Sequence, residues 1–210
     1  MEPDKTQNQG NEVSESKHML VSEAWILTPK DYNRIRDGFK QQSHKLLFDG
    51  MLYTGMRIEE FWRFIEHPEW FNYERSYIQL PIGSIKKPEA KQKERKVLLS
   101  ALGTRICKEL LDAVRRGEIK HISRRGWSDD LMRAAKRAGI KDTTGLTPKM
   151  ARKTYISWLM AVMPEDGLRI SSSSGHDTQT MIAHYLSTPF TDDERKEIKM
   201  HVQGWGGRSI

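Results

Sequence analysis

The sequence predicts a mainly α-helical domain carrying a small antiparallel β-sheet, an α+β class, and three observations predict it. Apolar residues recur at helical spacing behind capping residues in several separate stretches. Two short β-branched or apolar runs, 76–81 and 97–100, flank a lysine-rich connection. No internal repeat is visible and no low-complexity linker divides residues 45–200, so those elements share one body.

Residues 1–25 are acidic and polar at their start, with Glu2, Asp4, Glu12 and Glu15, and are expected to be disordered. A helix starts at Thr28 as cap and Pro29 at the first helical position, with Tyr32, Ile35 and Phe39 on its apolar face. A second apolar run, Leu46 to Tyr53, ends in Thr54-Gly55. Arg57 then opens a helix whose Phe61, Trp62 and Ile65 face a core. The runs 76–81 and 97–100 read as a hairpin. Helices follow at 102–116 and at 128–138, the latter with Ser128 as cap and Gly139 as stop. Thr147-Pro148 caps a further helix with Ile156, Leu159, Met160 and Met163 on its apolar face. A last capped helical pattern covers 191–203.

Charge narrows the partner. The 210 residues carry a net charge of +7 and a pI near 9.4, and the excess is concentrated. Between 84 and 96, Lys86, Lys87, Lys91, Lys93, Arg95 and Lys96 face only Glu89 and Glu94. Such a surface attracts a polyanion in a salt-dependent way, which makes nucleic acid the leading partner; solvated basic faces are the plain alternative. The single Cys107 excludes a disulfide framework and fits a reducing, cytoplasmic setting. No apolar run reaches the roughly 18 residues a membrane span needs, so no membrane partner is expected. The histidines show no metal-ligand spacing with carboxylates, and no cofactor is called for.

Four stretches carry chemistry. Arg57, beside Gly55 at a helix start and one turn from Glu60, suits a phosphate, or else forms a surface ion pair. Lys149 and Arg152 sit three apart at the positive end of a helix, an arrangement that an anion would relieve unless both are simply solvated. Gly175-His176 precedes Tyr185 by nine residues, so His176 belongs to the turn before the tyrosine's helix. A buried structural phenol is the alternative for Tyr185.

In order, Thr-Gly-Met-Arg-Ile-Glu-Glu (54–60), Lys-Gln-Lys-Glu-Arg-Lys-Val-Leu-Leu (91–99), Thr-Pro-Lys-Met-Ala-Arg (147–152), and Gly-His then Tyr (175, 176, 185) resemble the catalytic domain of the tyrosine recombinases, the phage-integrase family, and especially its archaeal and viral members. The resemblance covers residues 30–190 and implies that family's catalytic-domain fold. It implies that Arg57 and Arg152 grip the non-bridging oxygens of a scissile phosphate and that His176 hydrogen-bonds it. Tyr185 would be the nucleophile that forms a 3′-phosphotyrosyl bond. A hairpin lysine would protonate the departing 5′ oxygen, with Lys91 ahead of Lys87 and Lys93. Lys149 stands where many members have His, and an ordinary lysine is a poor base at neutral pH.

By the same resemblance the partner is double-stranded DNA, bound by a homotetramer, and the reaction uses neither metal nor ATP. Residues 26–190 would be the catalytic domain and 191–210 a tail for packing on a neighbouring protomer. Two other readings stand beside it: a catalytically silent DNA-binding protein of the same fold, and a type IB topoisomerase-like activity.

Overall fold

The structure, a computed structural model, describes residues 19–21, 23–82, 94–176, 179, 185 and 188–207. In chain order the elements are β1 (Met19–Val21), β2 (Ala24–Ile26), α1 (Pro29–Gly38), α2 (Gln42–Thr54), α3 (Ile58–Glu66), β3 (Phe71–Asn72), β4 (Tyr77–Leu80), β5 (Arg95–Leu98), α4 (Ala101–Arg115), α5 (Arg124–Arg137), α6 (Lys149–Val162), α7 (Gly167–Ser174) and α8 (Asp192–Val202). This is the mainly helical architecture with small antiparallel sheets that the sequence predicts.

Helix α6 is the axis of the core. It packs against β2, α2 and α8, while α2 also packs on α4, and α1 on α5. Four tryptophans, Trp25, Trp127, Trp158 and Trp205, are fully buried and come from four different parts of the chain. Trp127 stacks on Phe39 with ring centroids 5.5 Å apart, joining α5 to the end of α1. Trp158 donates its indole N–H to the Leu27 carbonyl at 2.8 Å, and Thr154 Oγ1 accepts from Leu27 N at 3.0 Å, so α6 holds the strand end by two polar bonds as well as by packing.

Local chemistry sets the helix ends. Thr28 Oγ1 accepts from Asp31 N at 3.1 Å, with Pro29 inside the first turn, as the sequence predicts. Helix α2 stops at Gly55, which takes the left-handed conformation (φ 57°), a region costly for a residue with a Cβ. Thr191 and Glu194 form a reciprocal capping box at the start of α8.

Three expectations change. The sequence suggests disorder through residue 25, yet β1 and β2 pair as a hairpin and Trp25 is 1% exposed; residues 1–18 lie outside the described residues. Trp25 N also donates to the Gly145 carbonyl at 2.9 Å, a partner 120 positions away that local sequence cannot reveal. Helix α5 begins at Arg124 and not at 128: Ser123 Oγ accepts from Gly126 N, while Ser128 Oγ donates to the Arg124 carbonyl inside the helix. The cap at Thr147 makes no side-chain hydrogen bond, and α6 starts after Pro148 on backbone bonding alone. Helix α8 also contributes to the core of this chain, packing on α6 and α4. Ile198, Val202 and Trp205 are fully buried, and His201 packs its ring against Trp158 at 4.9 Å and Tyr53 at 6.1 Å.

The second sheet has order β3–β4–β5, with Tyr77 opposite Leu98 and Leu80 opposite Arg95. Strand β3 was not expected, being only two residues long. Both backbone groups of Leu98, which face away from β4, are taken: its N–H goes to Ser173 Oγ on α7 at 2.9 Å, and its carbonyl accepts from Trp205 Nε1 at 3.0 Å. No helix among the described residues is long and apolar enough to cross a membrane.

Candidate active site

A cavity of about 220 Å³ opens where the α2–α3 turn, the start of α6 and the segment after α7 converge, and five of the six predicted site residues line it. These are Arg57, Lys149, Arg152, His176 and Tyr185; Arg124 and Lys153 join them. Residues 83–93, and with them Lys87, Lys91 and Lys93, lie outside the described residues.

The α2–α3 turn supplies Arg57. The left-handed Gly55 ends α2 and lets the chain reverse, so Arg57 takes the position before the first turn of α3 with its side chain 41% exposed at the cavity mouth. A Cβ on Gly55 would come within 3.3 Å of the Tyr155 ring. Glu60 anchors the arginine twice: its Oε2 accepts from Arg57 N at 2.9 Å and its Oε1 from Arg57 Nη1 at 2.8 Å.

Glu60 holds a second arginine as well. Arg95, on β5, donates Nη1 to Oε1 at 3.0 Å and Nη2 to Oε2 at 2.6 Å, a bidentate pair with both side chains buried. Burial alone pushes the Glu60 carboxyl up, but the Arg95 bonds and the two guanidinium charges outweigh it and bring it down to about 2. Arg95 Nε donates to the Ser173 carbonyl at 3.2 Å, tying the sheet to α7. The basic run hid this residue in the sequence. Its parity reveals it: Arg95, Val97 and Leu99 alternate, and all three point inward.

Arg152 is buried differently. One turn into α6 and 7% exposed, it donates Nη1 to the Gly55 carbonyl at 2.8 Å and Nη2 to the Ser174 carbonyl. Nη2 also lies 3.3 Å from His176 Nε2. Among the described residues none of its hydrogen bonds reaches a carboxylate. Burial, with Arg57 and Arg95 adding repulsion against a partial offset from Glu60, lowers its pKa to about 9.

The other cations reinforce this. Lys149 is the first residue of α6, whose first turn contains no acidic residue, and Lys153 follows one turn on. Burial and the neighbouring Lys149 lower Lys153, with Glu23 opposing them. Arg124 reaches the cavity from the first turn of α5, a placement concealed when the helix is started at Ser128.

Helix α7 ends on Gly175 in the left-handed region (φ 70°), and a Cβ there would meet Arg95 Nη1 at 2.9 Å. His176 follows at once, with its ring centroid 5.9 Å from that of Tyr185. Tyr185 is 3% exposed; burial raises its phenol pKa and the Arg152 charge partly offsets the rise. Among the described residues no group of three or more His, Cys, Asp or Glu side chains is placed to hold a metal ion.

No protein-family model matches the chain, and no curated protein matches it. Among solved structures it is similar to the crystal structure of XerA recombinase, with a TM-score of 0.55 and 19% sequence identity over 88% of this chain. The chain spans 65% of that recombinase chain's length. The two share a fold, which is the tyrosine recombinase catalytic-domain fold that the motifs imply.

Proposed function

We propose that this chain is a site-specific DNA recombinase or integrase of the tyrosine recombinase type, cleaving and rejoining strands through a 3′-phosphotyrosyl intermediate. The observation that carries the reading is the convergence of Arg57, Lys149, Arg152, His176 and Tyr185 on one cavity whose buried Arg152 bonds only neutral groups among the described residues. Likeness in fold to a recombinase supports it.

A phosphodiester seated in the cavity places one non-bridging oxygen against Arg152 and another against Arg57. The two guanidiniums then stabilise the charge of the pentacoordinate transition state without rearranging, because Gly55, Ser174 and Glu60 already fix them. Tyr185 Oη attacks phosphorus, the bond to the 5′ oxygen breaks, and the 5′ oxygen takes a proton from Lys91 on the basic connection. The buried phenol starts protonated, so its proton must leave as the new bond forms. Lys149, Lys153 and Arg124 hold the flanking phosphates of double-stranded DNA. On DNA the working unit is a homotetramer.

Covalent trapping tests the reading. A pool of nicked duplexes that lose the leaving strand is incubated without metal with wild type and Tyr185→Phe, then resolved under denaturing conditions. Wild type alone should give a protein–DNA adduct while both bind DNA equally. Binding without an adduct in wild type would leave a catalytically silent DNA-binding protein, and relaxation of supercoiled DNA lacking any site would move the assignment to a type IB topoisomerase-like enzyme.

A further inference from the structure

The Glu60 carboxylate receives four donors, about the limit for its two oxygens. Oε1 accepts from Arg57 Nη1 at 2.8 Å and from Arg95 Nη1 at 3.0 Å. Oε2 accepts from the Arg57 backbone N–H at 2.9 Å and from Arg95 Nη2 at 2.6 Å. Glu60 is fully buried, so water does not stand in for any of the four. Burial opposes its charge, and of the groups that sustain that charge Arg95 contributes most.

The two guanidiniums are committed unequally. Arg95 directs all three of its nitrogens into the protein, two to Glu60 and Nε to the Ser173 carbonyl at 3.2 Å, and Gly175 packs against it so closely that a Cβ there would lie 2.9 Å from Nη1. Arg57 gives Glu60 only Nη1 of its guanidinium, and its side chain is 41% exposed at the cavity. Among the described residues its Nη2 and Nε have no partner. An open acceptor on Glu60 would change that. A buried carboxylate short of donors is costly, and a bidentate guanidinium is the strongest way to satisfy it. With Arg95 removed, the nearest fork is that of Arg57, and closing it on both oxygens draws it off the cavity.

We propose that Arg95 is a positioning residue, which saturates Glu60 and so keeps the Arg57 guanidinium at the cavity with two of its nitrogens available to an anion. That the anion is a scissile phosphate rests on the recombinase reading above; the hold of Arg95 on Arg57 does not. In this role Arg95 touches neither phosphate nor nucleophile. It acts through Glu60 on Arg57 alone.

Two measurements on the full chain test this. The first is phenylglyoxal labelling without DNA, read by mass spectrometry of the arginine-containing peptides, with the exposed Arg115 as internal reference. Arg57 should be modified several-fold more slowly in Arg95→Met than in wild type. Arg95→Lys should fall between them, because a lysine pairs with the carboxylate as a point charge and not as a fork. An Arg57 rate at or above that of wild type, in a variant that keeps its cooperative melt, overturns the proposal; where Arg95→Met does not fold, Arg95→Lys decides. The second is metal-free covalent trapping. Arg95→Met should cleave about 100-fold more slowly, the cost of displacing a reacting group by about 1 Å. In an Arg57→Ala background the same substitution should add nothing, whereas a general loss of structure would slow both. A further fall in that background, or cleavage at the wild-type rate in Arg95→Met alone, overturns the proposal. A wild type that binds DNA and forms no adduct overturns the recombinase reading instead, and the labelling still decides whether Arg95 holds Arg57.

Discussion

The two ends of α6 bury polar groups in opposite ways. At the C-terminal end every buried polar group named has a matched partner. Trp158 Nε1 bonds the Leu27 carbonyl, Tyr53 OH meets His201 Nδ1, and Tyr32 OH donates to Asp49 at 2.6 Å while Arg36 pairs with the same carboxylate at 2.8 Å. At the N-terminal end Arg152 is as deeply buried, yet it has carbonyls and an imidazole instead of a carboxylate, with Arg57 and Arg95 nearby. The nearest acid, Glu60, already serves two other arginines. One helix therefore matches its buried polar groups at one end and, among the described residues, buries a guanidinium without a carboxylate at the other. A buried cation without a carboxylate costs stability, which fits a place kept for an anionic ligand.

Substitutions along α6 separate the two ends. Trp158→Ala should have the largest effect, lowering unfolding free energy by about 3–5 kcal/mol in urea melts, as expected for a fully buried tryptophan; a loss below 1 kcal/mol would break the distinction. Arg152→Met should do the reverse. Cleavage should fall by about 100- to 1,000-fold, the usual loss for one transition-state donor, while the urea midpoint stays or rises because an uncompensated buried charge is gone.

Glu60 sharpens the contrast through pH. Its folded pKa of about 2 lies below the ordinary 4.5, so the stability it contributes is fully present above about 4.5 and is lost as pH falls towards 2. Glu60→Gln should remove that part of the acid slope, read from melting temperatures between those two pH values. The smallest effect belongs to His201. Burial lowers its pKa from 6.5, so the unfolded chain binds the proton more readily, and stability should decline as pH falls below about 6.5. His201→Phe should flatten that limb in the same melts.

Legibility followed the range of the signal. The caps at Thr28 and Thr191 and the glycine stop at Gly55 are local, and each was readable from neighbours in the sequence. The order of Arg57, Lys149, Arg152, His176 and Tyr185 was readable too, although their meeting was not, since it depends on how α3, α6 and α7 pack. The hairpin of β1 and β2 escaped because three-residue strands carry no period and their support, Gly145, is remote. For α5 the information was present. Trp127, Leu131, Ala134 and Ala135 share one buried face, and a helix starting at Ser128 would have left Trp127 outside it. Arg95 shows a related effect: composition counts its charge, whereas strand alternation, the better guide, sets its direction.

The closure of β5 bears on how this protein can meet others of its kind. A strand at the rim of a sheet is ordinarily a template on which a foreign strand can form. Here Ser173 and Trp205 occupy the outward N–H and carbonyl of Leu98, and α7 lies along the strand. The opposite rim is β3, two residues long and too short to template a ladder. At Leu98, therefore, β5 has no outward backbone group left to pair with a foreign strand, and that rim presents side chains instead.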